Sequence, residues 1–321
     1  MDMAKIGIDI AFAEQVLKQG ELVAIPTETV YGLAGNGLDT AAILKIFKAK
    51  NRPFFDPLIL HSNSVDKVLQ FVQDIPPVLQ LLADAFWPGP LTLLLQRKTI
   101  VPDLVTAGMD TVAVRIPNHP LTLDLLSILD FPLAAPSANP FGYISPTTAM
   151  HVQEQLGEEV SYILDGGACE VGLESTIVGL ENGKPVIYRL GGLSVDRIEA
   201  VVGKVIVTAH SSSNPKAPGM LKSHYSPKKI FLIAPTADEL SQYETSKIGV
   251  LNFGKWNENY LIENQMILSP SENLEEAAKN LFASLRKLDA MDIEVIVLEK
   301  LLPETGLGLA MNDRLKRAAV R

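Results

Sequence analysis

The stretch FKAKNRPFFDPLILH, from Phe47 to His61, decides the fold class. It begins in a segment, AAILKIFKAK, whose apolar residues recur at helical spacing, which predicts a helix packed on a sheet. After two prolines the chain continues as PLILH, a short apolar run typical of a buried strand. A helix followed directly by a buried strand predicts an α/β fold.

The same alternation continues along the first two thirds of the chain. Helical patterns occur in DIAFAEQVLKQG, which ends at Gly20, in PPVLQLLADAFW, near residues 119–129 and in TTAMHVQEQLG. Strand patterns occur in ELVAIP, LTLLLQR, TVAVRIP, PLAAPS, SYILDGG, ESTIVGL and PVIYRLG. Several of these strands are joined too tightly for parallel crossovers, so we expect a twisted mixed sheet.

The composition changes near residue 208. The segment TAHSSSNPKAPGMLKSHYSPKK is rich in Ser, Pro and Gly and has no hydrophobic periodicity, which indicates a linker. Alternating strand and helix patterns follow it without a G-x-G-x-x-G motif, which predicts a small Rossmann-like three-layer α/β domain without a dinucleotide site. We therefore divide the chain into a first domain at 1–207, the linker at 208–228 and a second domain at 229–321.

Composition limits the class of ligand. The 321 residues carry a net charge of −9, and residues 1–207 alone hold 14 Lys and Arg against 23 Asp and Glu, which also gives −9. A protein that grips a nucleic acid backbone usually has a basic face, so small molecules are the better expectation. No apolar run is long enough to span a membrane, and no signal peptide is apparent.

The cysteine and histidine content excludes several kinds of site. A single cysteine, Cys169, cannot form an internal disulfide and fits a reducing cytoplasm, where we expect the protein. A small buried residue is favoured over a nucleophile at this position, because no histidine is nearby in sequence. Five scattered histidines form no zinc motif, so no metal ion held by fixed protein ligands is expected.

Two segments place basic residues where an anion could bind. In KAKNRP, Lys50 and Arg52 can turn toward one site if the helix frays before Pro53, a combination that suits a polyphosphate; a solvated helix end is the alternative. In TVAVRIP, Arg115 lies inside an apolar strand and needs an anionic partner, either a protein carboxylate or the carboxylate of a ligand.

Other segments offer hydrogen-bonding groups near strand ends. IPTETVYGLAGN either lines a ligand crevice or is a capped strand-to-helix turn. APSANPFGYISP either presents hydroxyl and backbone N–H groups to phosphate or is a plain structural loop. His61 is open to both a structural and a ligand-binding interpretation. Ser175 and Arg189, in GLESTIVGL and VIYRLGG, indicate nothing when taken alone.

Six ordered segments, PTETVYGL, KAKNRP, WPGPLTLLL, VAVRIP, APSAN and ESTIV, together resemble the YrdC family of L-threonylcarbamoyladenylate synthases. The match covers residues 10–207. APGMLKSHYSP resembles the linker of the longer, two-domain members, in which it lies over the active site. The resemblance implies a YrdC-like sheet with a ligand cavity and a nucleotidyltransferase that makes L-threonylcarbamoyl-AMP and pyrophosphate from L-threonine, bicarbonate or CO2, and ATP.

The resemblance also implies roles for individual residues. The threonine should be bound by Thr29, His61, Arg115, Ala135 and Ser175. The ATP should be bound by Lys50, Arg52, Asp56, Thr111, Ser137, Asn139, Ser145, Arg189 and Tyr225, with Lys50 and Arg52 acting in catalysis. His224 and Tyr225 should close over the site as part of the linker. This linker is less basic than in some relatives, so its contacts follow least directly from the resemblance.

The resemblance further implies partners. Mg²⁺ should accompany ATP, with no permanently bound cofactor. The product should pass to a separate tRNA threonylcarbamoyl transferase for N6-threonylcarbamoyladenosine formation, which asks for at most weak tRNA binding by this chain. Two alternatives remain: a module that binds RNA or a nucleotide without chemistry, and a carbamoyl-adenylating enzyme of hydrogenase maturation. The acidic first domain disfavours the former, and the absence of acylphosphatase and zinc-finger segments disfavours the latter.

Overall fold

The computed structural model describes residues 3–208, 217–220 and 224–320. The linker residues 209–216 and 221–223 therefore lie outside the described part of the chain. Strands β1 to β11 run Lys5–Gly7, Val23–Ile25, Gly32–Asn36, Ile59–His61, Leu91–Gln96, Thr111–Arg115, Leu133–Ala134, Tyr162–Leu164, Thr176–Glu181, Lys184–Arg189 and Ile206–Val207. Helices α1 to α8 run Ile10–Lys18, Thr40–Lys50, Val65–Val68, Pro77–Phe86, Asp103–Thr106, Pro120–Ile128, Ala149–Leu156 and Val195–Val202.

Within the described residues these strands form one sheet in the order β1-β8-β2-β3-β7-β4-β6-β5-β9-β10-β11. The sheet is mixed, as predicted from the tight connections: β4 pairs with β6 in parallel, whereas β5 pairs with β6 antiparallel. The parallel pair β4 and β6 places His61 opposite Arg115 in register. Two residues singled out in the sequence thus lie side by side where their strands end.

Strand β3 was not predicted from the sequence, and it decides between the two interpretations of the segment that contains it. The stretch IPTETVYGLAGN is not a strand-to-helix turn, because β2 and β3 pair antiparallel and Pro26 to Tyr31 form the loop between them. The strand GLAGN has two glycines and no β-branched residue, so its β-propensity is low. Close packing favours glycine at position 35 in this strand, because a Cβ there would lie only 3.1 Å from the Leu22 side chain.

Helix α2 begins at a capping residue and ends in a sharp turn. Asp39 caps its first turn by accepting a hydrogen bond from the Ala41 amide at 2.9 Å. Asn51 follows the last turn in the left-handed conformation, with φ 51°, and this residue turns the chain sharply toward Arg52. Lys48 is exposed on the helix surface, whereas Lys50 is buried.

The second unit is a four-stranded parallel sheet in the order β12-β15-β13-β14. Its strands run Ile230–Ile233, Ile248–Asn252, Gln265–Ile267 and Val295–Leu298, and helices α9 to α11 run Ala237–Leu240, Leu274–Ala290 and Leu307–Ala318. The large sheet ends at Val207 and the small one begins at Ile230. The division at 1–207, 208–228 and 229–321 itself stays a prediction.

The two units share a hydrophobic cluster. Val30, Ile144 and Leu173 of the first unit pack with Phe282 and other residues of α10. Gly172 permits this contact, because a Cβ there would lie 2.5 Å from the Ala278 carbonyl oxygen on α10. The second unit therefore packs directly behind the loops that carry Thr29, Ser145 and Ser175.

Candidate active site

A partly enclosed cavity opens between these loops, and polar and charged side chains converge on it. The hairpin loop before β3, the ends of β4 and β6, the segment after β7, the start of β9, the end of β10 and the linker all contribute to it. Its lining includes Thr29, Arg52, His61, Arg115, Ala135, Ser137, Glu174, Ser175, Arg189, Pro218, Gly219, His224 and Tyr225. Ten of these residues were predicted to bind substrate or to close over it.

Arg115 has a protein carboxylate as its partner. Its Nη2 lies 2.8 Å from Glu28 Oε2, an ion pair that does not meet hydrogen-bond geometry, and its Nη1 donates to Thr29 Oγ1 at 2.8 Å. Its Nε donates to the Gly89 carbonyl at 3.2 Å. Both charged side chains are almost fully buried, and their mutual attraction offsets part of the cost of removing each charge from water. Arg115 still faces the cavity, so a ligand carboxylate can reach it.

Arg52 also has a carboxylate partner. Its Nη2 lies 2.9 Å from Asp56 Oδ2, and its Nε and Nη2 donate to the carbonyls of Asp56 and Pro57 at 3.1 and 2.8 Å. The turn that follows α2 therefore folds back on the guanidinium and fixes its direction. Arg52 lines the cavity, but Asp56 lies behind it, fully buried.

Lys50 is placed differently from the sequence expectation. It does not line the cavity; its Nζ donates to the carbonyls of Ser137, at 2.5 Å, and Asn139. Burial, with the neighbouring Arg52 charge, lowers the pKa of Lys50. In this structure the ammonium group holds the loop after β7 rather than pointing at a phosphate.

The loop after β7 brings only part of its polar residues to the cavity. Ser137 lines the cavity, whereas Asn139 turns inward and donates from Nδ2 to the carbonyls of Pro140 and Tyr143 at 2.9 and 2.8 Å. Ser145 is fully buried behind the wall, where its hydroxyl donates to Glu174 Oε1 at 2.5 Å. Of the two ATP-binding residues that the resemblance implied here, only Ser137 therefore lines the cavity.

Ser175 and Arg189, which indicated nothing alone, form one hydrogen-bonded unit. Arg189 donates from Nε and Nη2 to the Ser175 carbonyl at 3.0 and 2.8 Å, and from Nη2 to its Oγ at 3.0 Å. The Ser175 hydroxyl also lies 2.7 Å from Thr92 Oγ1. Burial lowers the pKa of Arg189 to about 10, so it stays cationic at neutral pH. Its charge lies in the cavity wall without a carboxylate partner among the described residues.

His61 is a neutral group of the cavity. Its Nδ1 lies 3.2 Å from the Ile59 carbonyl, a contact that requires the proton on Nδ1 and leaves Nε2 as an acceptor. Burial, reinforced by the Arg115 charge, lowers the pKa of His61 to about 3. At neutral pH it can therefore accept a hydrogen bond but carries no charge.

The described part of the linker covers one side of the cavity. Arg189 donates to the Pro218 carbonyl at 3.3 Å, and the Gly219 amide donates to Asp56 Oδ1 at 3.4 Å. Gly219 has φ +74°, and a Cβ there would lie 3.2 Å from Arg189 Nη1. Ala217 and Met220 pack on Ile59 of β4 and neighbouring apolar residues of the sheet.

Tyr225 closes the same side. Its ring is 1% exposed and stacks on Phe282 with centroids 5.5 Å apart. The guanidinium groups of Arg314 and Arg317, both from α11, lie 5.3 and 5.0 Å from its centre. Burial, followed by the charges of Arg317 and Arg52, lowers the pKa of its neighbour His224. The second unit thus holds Tyr225 in place.

Thr111 lies away from this cavity. It begins β6, which ends at Arg115, and it borders a separate depression with Gln96 and Tyr188. Alternation along the strand puts Thr111 on the same face as Ala113 and Arg115, although four residues from the latter. Contact with a nucleotide at this end of the strand stays a prediction.

Sequence reasoning missed Glu28 and Glu174, which are both buried beside the cavity. A buried arginine in a strand called for a carboxylate, and Glu28 within PTETVYGL was the available signal. Arg314 had no sequence signal, because it reaches Glu174 from a different folding unit.

Within the described ranges, no group of three or more His, Cys, Asp or Glu side chains could hold a metal ion. No helix in these ranges is both long and apolar enough to cross a membrane. Cys169 is buried, as its sequence context suggested.

Comparison with known proteins gives matches over nearly the whole chain. The family model Sua5_yciO_yrdC, described as telomere recombination, matches residues 15–191. The model Sua5_C, described as the C-terminal domain of threonylcarbamoyl-AMP synthase, matches residues 193–320.

Individual relatives agree with these matches. The chain is 39% identical to a Pyrococcus abyssi protein named threonylcarbamoyl-AMP synthase, over 97% of this chain and 94% of the relative. It is 38% identical to a Bacillus subtilis protein of the same name, over 97% and 92%. Among solved structures, P. abyssi Sua5 complexed with L-threonine superposes with a TM-score of 0.89 at 37% identity, covering 99% of this chain and 98% of that one.

Proposed function

The chain belongs to the Sua5/YciO/YrdC family, and from that membership and its cavity we propose that it is an L-threonylcarbamoyladenylate synthase. It would convert L-threonine, bicarbonate or CO2, and ATP into threonylcarbamoyl-AMP and pyrophosphate. The observation that carries this proposal is the cavity wall in which Arg115 and His61 lie side by side while Arg52 and Arg189 supply further positive charge.

The threonine end of the cavity is proposed around Arg115. A zwitterionic amino acid needs a cation for its carboxylate, and a guanidinium can form two parallel hydrogen bonds with it. Thr29 accepts a hydrogen bond from this guanidinium and His61 lies on the neighbouring strand in register with it, while Ala135 and Ser175 line the same cavity. The related P. abyssi structure was solved in complex with L-threonine, which supports threonine as a ligand.

The nucleotide end is proposed around Arg52, Ser137 and Arg189, which line the cavity together with Tyr225. Two guanidinium groups can form fork-shaped contacts with phosphate oxygens. Lys50, Asn139 and Ser145 would act from behind the wall by holding the loop after β7, and Asp56 by orienting Arg52. Mg²⁺ would enter as part of the substrate, bound to the ATP phosphates.

The chemistry requires two bond-forming steps. The threonine amine attacks the carbon of CO2 and loses a proton, which gives N-carboxythreonine. A carbamate oxygen then attacks the α-phosphorus of ATP, and the bond to the departing pyrophosphate breaks. No protein nucleophile is needed, so the residues would act by positioning the reactants and stabilising charge.

The linker would protect the product. A carbamoyl-phosphate mixed anhydride hydrolyses readily, and Pro218, Gly219 and Tyr225 cover the cavity on one side. The released threonylcarbamoyl-AMP would serve a separate transferase that modifies tRNA. We propose a cytoplasmic location, which the single cysteine supports, and at most weak binding of tRNA by this chain.

The direct test is threonine-dependent release of pyrophosphate from ATP in the presence of bicarbonate. We expect release only when all three substrates are present. Binding of ATP without any release under these conditions would favour a nucleotide-binding module instead. Hydrolysis of ATP that does not depend on threonine would also contradict the proposal.

A further inference from the structure

Glu174 is a carboxylate in the wall of a cavity that must accept a polyanion. It is 7% exposed and lines the cavity near Arg189, whose pKa its charge affects. Its Oε1 accepts the hydrogen bond from the Ser145 hydroxyl at 2.5 Å. An uncompensated charge at this place would repel the phosphates of ATP, since electrostatic interactions are strong where water is excluded.

The compensating charge comes from the second unit. Arg314, on α11, is fully buried, and its Nε donates to Glu174 Oε2 at 3.2 Å. Its Nη1 donates to Asp313 Oδ2 at 2.8 Å, and its guanidinium lies over the Tyr225 ring. The contact between Glu174 and Arg314 thus ties the cavity wall to both the second unit and the linker.

A second arginine of this unit holds Ser145, the residue that donates a hydrogen bond to Glu174. Arg286, on α10, donates to the carbonyls of Ser145, at 3.2 Å, and of Ile144. It also donates to Gln155 Oε1 at 2.9 Å. The Ser145–Glu174 hydrogen bond is therefore held from both sides by buried guanidinium groups that the first unit does not supply.

We propose that Arg314 is a positioning residue that neutralises Glu174 and thereby sets the affinity of the cavity for the nucleotide. The second unit then has a defined electrostatic task besides holding the linker. Threonine, a zwitterion bound mainly at Arg115, should depend much less on this neutralisation. The inference rests on the proposed function only in that the anionic ligand is ATP.

The test compares Arg314→Met, Glu174→Gln and the double variant with the wild-type chain. Calorimetry measures the dissociation constants of MgATP and of L-threonine separately, and steady-state assays measure KM for each substrate and kcat. We expect Arg314→Met to weaken ATP binding at least tenfold and threonine binding less than threefold. Adding Glu174→Gln should restore ATP affinity to within about threefold of the wild type. Lys316→Met, an exposed neighbour on α11, is the matched control and should change neither constant.

Three results would overturn the proposal: an unchanged ATP affinity in Arg314→Met, an equal loss of both ligands, or a double variant as weak as the single one. The last two are the pattern of a purely structural role. Arg314→Met can also lower the melting temperature, and the comparison remains valid if it does. Removal of the Glu174 charge predicts that ATP binding recovers in the double variant, whereas a purely structural role of Arg314 does not. If the wild type binds ATP but forms no threonylcarbamoyl-AMP, the proposed function fails while the binding comparison still decides this inference.

Discussion

The guanidinium of Arg115 and the carboxylate of Glu28 form a 2.8 Å ion pair in which neither side chain is more than 6% exposed. One partner ends a central strand and the other belongs to the loop between β2 and β3. The pair answers the question of how a charge is tolerated in an apolar strand. It also leaves a fixed cation at the cavity surface, on which the threonine assignment depends.

Arg115→Ala should mainly raise the threonine requirement. Loss of charge-assisted hydrogen bonds weakens threonine binding by more than about tenfold, while ATP binding changes little. The variant should be made together with Glu28→Gln, because a bare buried carboxylate would cost about 3 kcal/mol of stability. Threonine calorimetry is the measurement, with Glu28→Gln alone as the control. Wild-type threonine affinity in the double variant would reject this role.

Arg52→Ala should strongly reduce threonine-dependent pyrophosphate release. Asp56 is buried against the guanidinium and would lose its partner in this variant. We therefore expect the single variant to lose stability and the pair with Asp56→Asn to recover part of it. Turnover at the wild-type rate by a folded Arg52→Ala chain would contradict the assignment of Arg52 to the phosphates.

His61 should make the folded state sensitive to acid. Its pKa of about 3 lies below the ordinary value of 6.5, so the unfolded chain takes up a proton in this pH window that the folded chain does not. Stability therefore falls as pH falls below 6.5, by about 2 kcal/mol at pH 5 from this residue. Urea unfolding at pH 7 and pH 5 measures the difference. His61→Asn, which can keep the contact with Ile59, should show a smaller loss; an equal loss would show that His61 is not responsible.

Tyr225 should limit escape of the product to water. Tyr225→Leu removes the stacking on Phe282 and the contacts with two guanidinium groups, so the described end of the linker loses its anchor. We expect a higher ratio of AMP to threonylcarbamoyl-AMP among the products, measured by chromatography. Trp256→Ala, on the exposed surface of the second unit, serves as the control. An unchanged product ratio would indicate that Tyr225 does not help to exclude water.

Cys169 should be dispensable for the reaction. Burial, with the nearby Glu28 charge, raises the pKa of its thiol to about 12, so almost none is ionised at neutral pH. Cys169→Ala should keep the wild-type turnover, and the native thiol should react with a thiol reagent far more slowly than the urea-unfolded one. Loss of turnover in a stably folded Cys169→Ala protein would contradict this expectation.

The sequence was most informative where local pattern and burial coincide. The apolar strand around Arg115 and the helix ending at Lys50 were both predictable, because spacing and composition act locally. Strand β3 was not, since GLAGN pairs through its backbone and depends on close packing instead of β-propensity. The six ordered motifs identified the family, and the family models that match residues 15–191 and 193–320 confirm it.

Many of the residues that line the candidate site were predictable, but their contacts were not. Arg52, Ser137 and Arg189 do line one cavity, as the motifs implied. The sequence could not reveal that Lys50 is bound by carbonyl groups, because that depends on how the loop after β7 folds over it. Nor could it reveal the contact of Arg314 with Glu174, which needs two units to pack together.

Mass spectrometry of the product formed from ATP, L-threonine and isotopically labelled bicarbonate would decide whether this chain makes threonylcarbamoyl-AMP. We predict a threonylcarbamoyl-AMP species that carries the label in its carbamoyl group, together with one pyrophosphate for each molecule formed. An adenylated product that lacks the label, or ATP turnover with no adenylated threonine derivative in the presence of the intact enzyme, would contradict it.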